Sequence, residues 1–191
     1  MTQLTYKGFH ACKNEGGYKH IVENIPFKSG DGKDQWLTQG YYFWTDYNYW
    51  AKQWRKENMP LEQKVIGEFD IKLCHETELL DLVGNVAHQF EFHNLKKIVL
   101  KTLPKEEQKK VTVHQIIKFL RAREEIFPYS AIKAQDGKSL FKLPFVDPEF
   151  SGGDMSLVTR QQLCVFDKAK DRICLKRFDH PKEYDDQFQT K

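Results

Sequence analysis

Hydrophobic and polar positions recur along this chain with two periods, and the switches between them mark its elements. Period two comes first. "QLTYKGFHA" (Gln3 to Ala11) reads as a strand, "QGYYFWT" as a second, and "KVIGEFDIKL" (Lys64 to Leu73) as a third. Helical spacing fills the gaps. "YKHIVENI" follows the turn formers of "CKNEGG" and has the apolar spacing of a short helix. After the loop "PFKSGDGKD" and the second strand, Thr45 or Asp46 can cap "DYNYWAKQWRKEN", whose Tyr47, Trp50, Ala51 and Trp54 share one face. Met59-Pro60 closes that helix.

"ETELLDLVGNVAHQFEFHN" reads as a helix or a helix pair starting near Glu76 or Thr77. Thr112 caps "VHQIIKFLRAREEI", which sets Val113, Ile116, Ile117 and Leu120 on one side. "SAIKA", "SLFKL", "QLCVFD" and "RICLKR" read as later strands, and "VDPEFSGGDMSLVTR" as a loop. Strands and helices do not alternate regularly, which predicts an α+β fold. The length suits one domain over residues 1–191, with a helical insertion at about 76–126.

Composition narrows the function. The aromatic share is 14%, enough for a rich core or for stacking platforms. Formal net charge is +3, with 30 basic and 27 acidic residues, which excludes nucleic-acid binding through bulk charge. The lysines between Lys96 and Lys110 read first as a solvated surface. Cys12, Cys74, Cys164 and Cys174 form no CxxC pair, and there is no HExxH, so neither a disulfide framework nor a metal is expected. No apolar run suits a signal peptide or a membrane span, and a soluble, cytoplasmic protein without a membrane partner is expected. Phosphate loops, dinucleotide glycine turns and nucleophile elbows are absent.

Three separated strands carry the remaining chemistry: "GFHA" early, "GYYFW" next and "QQLCVFD" late. Together, in this order, they resemble the signature strands of the ADP-ribosyltransferase superfamily. The likeness is closest to its diphtheria-toxin and poly(ADP-ribose) polymerase branch, whose triad is histidine, tyrosine and glutamate. That branch opens with Tyr-His-Gly-Thr; here His10 stands in the histidine position and Ala11 in the glycine position. Its second motif has the form Gly-Ile-Tyr-Phe-Ala, which places Tyr42 on the triad tyrosine. Its third reads Asn-Glu-Tyr-Ile-Val-Tyr-Asp, with Gln162 where the glutamate would be. A rival register sets Tyr6-Lys7-Gly8 on the first motif, with Lys7 as its polar residue.

The resemblance implies a split β-sheet core with peripheral helices, NAD as substrate, and transfer of single ADP-ribose units to a macromolecule. It further implies His10, Tyr42 and Gln162 as the catalytic set, and His10, Ala11, Tyr42 and Gln162 as contacts to the dinucleotide. His10 would donate to ribose hydroxyls in its neutral form, and Tyr42 would stack on nicotinamide. Gln162 accepts a hydroxyl's hydrogen but brings a dipole rather than a charge. Alternation sends Tyr41 and Phe43 to the face opposite Tyr42. Arg160, two residues before Gln162, would face the acceptor with Trp36. Arginine suits an anionic acceptor and tilts the expectation toward RNA or DNA. Such a protein would be a bacterial toxin, effector or phage-defence component, with a neutralising antitoxin as a further partner. The glutamine leaves two alternatives: an inactive module that binds NAD, ADP-ribose or nucleic acid, and an NAD glycohydrolase.

Overall fold

A computed structural model describes residues 2–147, 149–150 and 152–190. Its elements run β1 (Gln3–Lys13), α1 (Gly17–Asn24), β2 (Tyr41–Thr45), α2 (Tyr49–Gln53), β3 (Lys64–Cys74), β4 (Leu79–Asp81), α3 (Val86–Lys101) and α4 (Lys105–Gln108). They continue with α5 (Val113–Arg121), β5 (Ala131–Gln135), β6 (Phe141–Pro144), β7 (Asp154–Leu157), β8 (Gln161–Val165), β9 (Ile173–His180) and α6 (Lys182–Gln189). The fold is α+β. Seven strands form one sheet in the order β4-β5-β8-β2-β1-β3-β9, antiparallel except for the β4–β5 pair.

The centre of this sheet is a fork. β1 pairs with β3 from Gln3 to Lys13, and β2 pairs with β8 from Tyr41 to Trp44. β1 and β2 meet at Gly8–Thr45 and Phe9–Trp44 and then part. Beyond Phe9 and Trp44 the sheet opens, and the parting strands frame a cleft.

Strand alternation sorts the core onto two faces. Phe43, Phe69, Ile71, Leu163 and Val165 lie on the first face, where Ile21 of α1 packs. On the second face, Ile132 and Cys164 meet Ile116, Ile117 and Leu120 of α5 and Leu95 and Val99 of α3. Phe9, Trp44 and Ile66 bury Ala51 of α2 beside them. Gly40, just before β2, allows close approach to β8. A Cβ there would stand 2.6 Å from the Cys164 sulfur and 2.7 Å from the Val165 carbonyl oxygen.

Four expectations are corrected. Leu79–Asp81 is a strand, not the start of a helix. Leu79 enters the first core and Leu80 the second, so the run is apolar on both faces, as suits a strand buried on both sides. The stretch at 76–126 therefore begins inside the main sheet, and its helices start at Val86, capped by the Asn85 side chain accepting from the His88 amide at 3.2 Å. α2 is only five residues long. Neither Thr45 nor Asp46 caps it: Thr45 ends β2, and Asp46 turns the chain with φ 66°. Its aromatic residues Tyr49 and Trp50 are indifferent helix formers, and Ala51 is its one buried residue, packed in the core. β7 lies within the expected loop, and α6 forms where no element was expected, its Tyr184 and Phe188 packing on Phe178 with ring centroids 5.8 Å away.

Thr112 does cap α5, in a capping box with Gln115, although the helix ends at Arg121 and Val113 stays exposed. β6 and β7 form a separate two-stranded ribbon. Its cross-strand pairs Phe141–Leu157 and Leu143–Met155 share one face, and Lys142–Ser156 and Pro144–Asp154 the other.

Candidate functional site

The fork opens into a cleft of about 880 Å³. His10, Ala11, Trp36, Tyr42, Arg160 and Gln162 all line it, although they come from the start, the first quarter and the end of the chain. The loop from Phe27 to Gln35 forms one wall, through Phe27, Lys28, Ser29, Gly30, Asp34 and Gln35. Ser29 ties that wall to β2: its amide donates to the Gly40 carbonyl at 2.9 Å, and its hydroxyl accepts from the Gly40 amide at 3.1 Å.

His10 sits where β1 leaves β2. Its Nδ1–H donates to the Tyr42 carbonyl at 2.9 Å, and its Nε2 accepts the Phe27 amide at 3.2 Å. These two partners select the neutral imidazole protonated at Nδ1. The residue is 7% exposed. Burial pushes its pKa down to about 4, against a smaller upward pull from the Tyr42 carbonyl. The ring lies 5.9 Å from Phe43 and 6.5 Å from Phe69, on the first face of the sheet.

Tyr42 points the other way. Its ring packs beside Leu37 and Cys164 on the second face, so the expected split from Tyr41 and Phe43 holds. Its hydroxyl donates to the Thr38 carbonyl at 2.6 Å and accepts from the Leu37 amide at 2.9 Å. Burial raises its pKa further above the ordinary phenol value. Gln162 lies on this second face as well, in register with Trp44 on one side and Ala134 on the other. Its carboxamide has no hydrogen-bond partner among the described residues.

The three triad positions thus share a cleft but not a sheet face. Tyr42 and Gln162 stand together, while His10 reaches the cleft from the opposite face with both nitrogens engaged. A hydrogen bond from His10 to a ribose requires one of its backbone bonds to break. Ala11 lies just past the fork, where β1 no longer pairs with β2. Lys7, the rival candidate, is not among the residues lining the cleft; its ammonium meets Glu68 at 3.4 Å.

Arg160 is held rather than free. Its guanidinium is ion-paired with Asp136. Burial pushes the Asp136 carboxyl up, but the hydrogen bond and charge of Arg160 outweigh it and leave the pKa lowered. The guanidinium carbon lies 4.8 Å from the Trp36 ring and 6.0 Å from Trp50. Trp50 in turn donates its indole N–H to the Thr159 carbonyl at 3.1 Å. Around the cleft, Lys13, Lys28, Arg55, Lys56, Lys138 and Arg160 outnumber Glu15, Asp34 and Glu57, so the lining is positive.

Helix α5 supports this site from behind. His114 Nδ1 meets the Gln35 carbonyl at 2.7 Å, and Arg121 donates to the Thr38 hydroxyl and the Gln39 carbonyl at 2.6 Å each. Both contacts pin the segment that carries Trp36 and receives the Tyr42 hydroxyl. Sequence reasoning missed them, and it read Trp50 and Trp54 only as one face of a helix. The concentration of all four tryptophans around one glycine-led strand was the available signal, since all four line the cleft.

Comparison with family models, with curated proteins and with solved structures yields no match to this chain. No helix among the described residues is long and apolar enough to cross a membrane.

Proposed function

We propose that the protein is an NAD-consuming mono-ADP-ribosyltransferase. It opens the bond between nicotinamide and ribose and hands ADP-ribose to a macromolecular acceptor. One observation carries the reading: residues from three distant motifs line a single positive cleft whose volume lies within the range of cofactor sites. The chemistry asks mainly for positioning. Breaking the glycosidic bond builds an oxocarbenium-like centre, as in sugar hydrolysis, and nicotinamide leaves as a neutral amide. The acceptor's nucleophile bonds to the ribose carbon and releases a proton.

In this reading Tyr42 offers its ring to nicotinamide, and its tied hydroxyl keeps that ring in place. The carboxamide oxygen of Gln162 accepts from a ribose hydroxyl. It cannot take up a proton, so the acceptor's proton passes to solvent water at the open cleft. The positive lining attracts the pyrophosphate. His10 is a positioning residue, holding the Tyr42 backbone against the Phe27 wall. Since it is neutral well below physiological pH, the rate carries no histidine limb between pH 6 and 7 on its account.

A second reading is favoured by the engaged nitrogens of His10 and the uncharged Gln162: a module that binds NAD or ADP-ribose without turning it over. Incubation with NAD labelled in its adenylate half separates the two. Labelled RNA, DNA or protein supports transfer. Free nicotinamide with no labelled macromolecule supports hydrolysis, and binding without nicotinamide release supports the module. Tyr42→Ala is expected to lower turnover at least ~100-fold; because it also removes the hydroxyl tied to Leu37 and Thr38, a thermal melt read beside it shows that the variant is folded. Gln162→Glu is expected to retain or raise nicotinamide release. Toxicity on expression, relieved by Tyr42→Ala, would identify a toxin and justify a search for its neutralising partner.

A further inference from the structure

We infer that the cleft holds an acceptor subsite for single-stranded nucleic acid, whose unpaired bases stack on alternating tryptophan and arginine planes. Binding of the strand stands without the transferase reading; only its modification rests on it.

The planes are already in place. The Arg160 guanidinium carbon lies 4.8 Å from the Trp36 ring and 6.0 Å from the Trp50 ring. Trp54, the first residue past α2, lines the same cleft, and Arg55 stands 5.1 Å from its ring. Trp36, Trp50 and Trp54 are partly exposed, whereas Trp44 beside them is buried. An indole left partly in water along a cleft costs hydrophobic stabilisation, and stacking with a ligand recovers it.

The state of Arg160 selects the mode of contact. Its charge is already met by Asp136, so it presents a flat face rather than a phosphate grip. Phosphates would meet Lys56 and Lys138, which line the same cleft. Flat faces with lysines between them are the equipment of single-strand binders, where each base contributes a π-face irrespective of its identity. A duplex hides those faces within its own stack. NAD alone brings two ring systems, fewer than the planes of Tyr42, Trp36, Trp50 and Trp54 together provide.

Because every tryptophan lines this cleft, intrinsic fluorescence reads it directly. The test titrates the protein, without NAD, with single-stranded oligothymidylate and a single-stranded RNA of about 12 nucleotides, within the site sizes of such binders. A duplex of the same length and an acidic peptide complete the set. Single strands are expected to quench the emission, with an affinity that falls as salt rises. Trp54→Leu should weaken binding roughly ten-fold and Trp54→Phe much less, because a stacking plane and not apolar bulk is needed. A thermal melt shows that each variant is folded.

Equal binding of duplex and single strand overturns the subsite, as does equal loss in the two Trp54 variants. Binding of the acidic peptide alone assigns the acceptor to proteins and also overturns it. Titration of NAD in parallel keeps the two readings apart. Oligonucleotide binding without NAD binding sinks the transferase reading and leaves this one; the reverse result does the opposite.

Discussion

Several aromatic rings meet water both in the cleft and in the β6–β7 ribbon, and the two regions are built differently. In the cleft, every exposed ring has something that fixes it. Trp36 carries Arg160 on its face, Trp50 donates to the Thr159 carbonyl, and the Tyr42 hydroxyl is tied to Leu37 and Thr38. In the β6–β7 ribbon, Phe141, Phe145 and Phe150 are 61%, 68% and 68% exposed and have no ring or cation partner among the described residues. The ribbon lies between β5 and β8 in the chain, and at its base the Arg160 amide donates to the Lys138 carbonyl at 2.9 Å. Fixed rings lose little freedom when a flat ligand arrives, which is the advantage of a preorganised site. Unfixed rings on a two-stranded ribbon store no such advantage, since an isolated hairpin is marginal in water. The difference separates rings held in one place from rings that are not.

The sharpest way to break this comparison is to remove the pin at the fork. His10→Ala leaves the Tyr42 carbonyl and the Phe27 amide without their partner and opens a small void. Each orphaned group costs about 1–3 kcal/mol, so a total loss near 4 kcal/mol is expected in chemical denaturation. A loss below about 1 kcal/mol would mean that the fork closes without His10. The same residue gives a slightly smaller effect through pH. Unfolded, it takes a proton below its ordinary 6.5; folded, only below about 4. Between these values the unfolded chain holds the extra proton, so stability falls as the pH drops through the window and is fully present above it. The difference amounts to about 3 kcal/mol. His10→Gln keeps a donor and an acceptor but cannot titrate. Its stability should therefore change less between pH 7 and pH 4 than that of the wild type, and parallel profiles would refute the assignment.

A milder test acts on the stacked row. Asp136→Ala frees the Arg160 guanidinium, and because the pair is partly solvated the expected cost is about 1 kcal/mol. Its clearer signature lies in the cleft. Arg160 no longer held beside Trp36 and Trp50 should lower single-strand affinity and steepen its dependence on salt, since a mobile arginine then reaches phosphate. An unchanged salt slope would show that Arg160 keeps its place without the carboxylate.

Much of this was legible in the sequence, for reasons that differ by element. β9 announces itself because Ile173 and Leu175 pack on core while Cys174 and Lys176 do not, which leaves period two. β1, β2, β3, β5 and β8 are legible instead as runs of β-branched and aromatic residues bounded by turn formers, although several of them meet core on both faces. β4 is not, because it is only three residues long and its two leucines, serving opposite cores, leave no alternation. α6 hides because Tyr184 and Phe188 are sparse among charges, and only their landing on Phe178 reveals an amphipathic helix. The cleft's members were legible as motif residues, but their mutual orientation was not. Alternation orders side chains within one strand and says nothing about the fork between two, so it could not place His10 and Tyr42 on opposite faces. Nor could it announce that the amide of Phe27 would occupy His10 Nε2. Trp50 and Trp54 were visible as a helical face, yet whether such a face meets core or cleft depends on α2 stopping at Gln53.

The smallest expected effect sharpens the comparison from the ribbon's side. Phe145→Ser removes a ring that is already mostly in water, so it should change folding stability by no more than about 0.5 kcal/mol. Phe141→Ser should behave alike, although its cross-strand partner Leu157 adds a few tenths. Neither should alter tryptophan emission or its quenching by single strands, because neither residue lines the cleft. Chemical denaturation and the oligonucleotide titration check both halves of this statement on the same samples. A loss above about 1.5 kcal/mol would place the ribbon against the body of the protein in solution. A changed quenching curve would make it part of the binding surface. Either result would erase the contrast between pinned and unpinned aromatics, because the ribbon's rings would then have partners of their own.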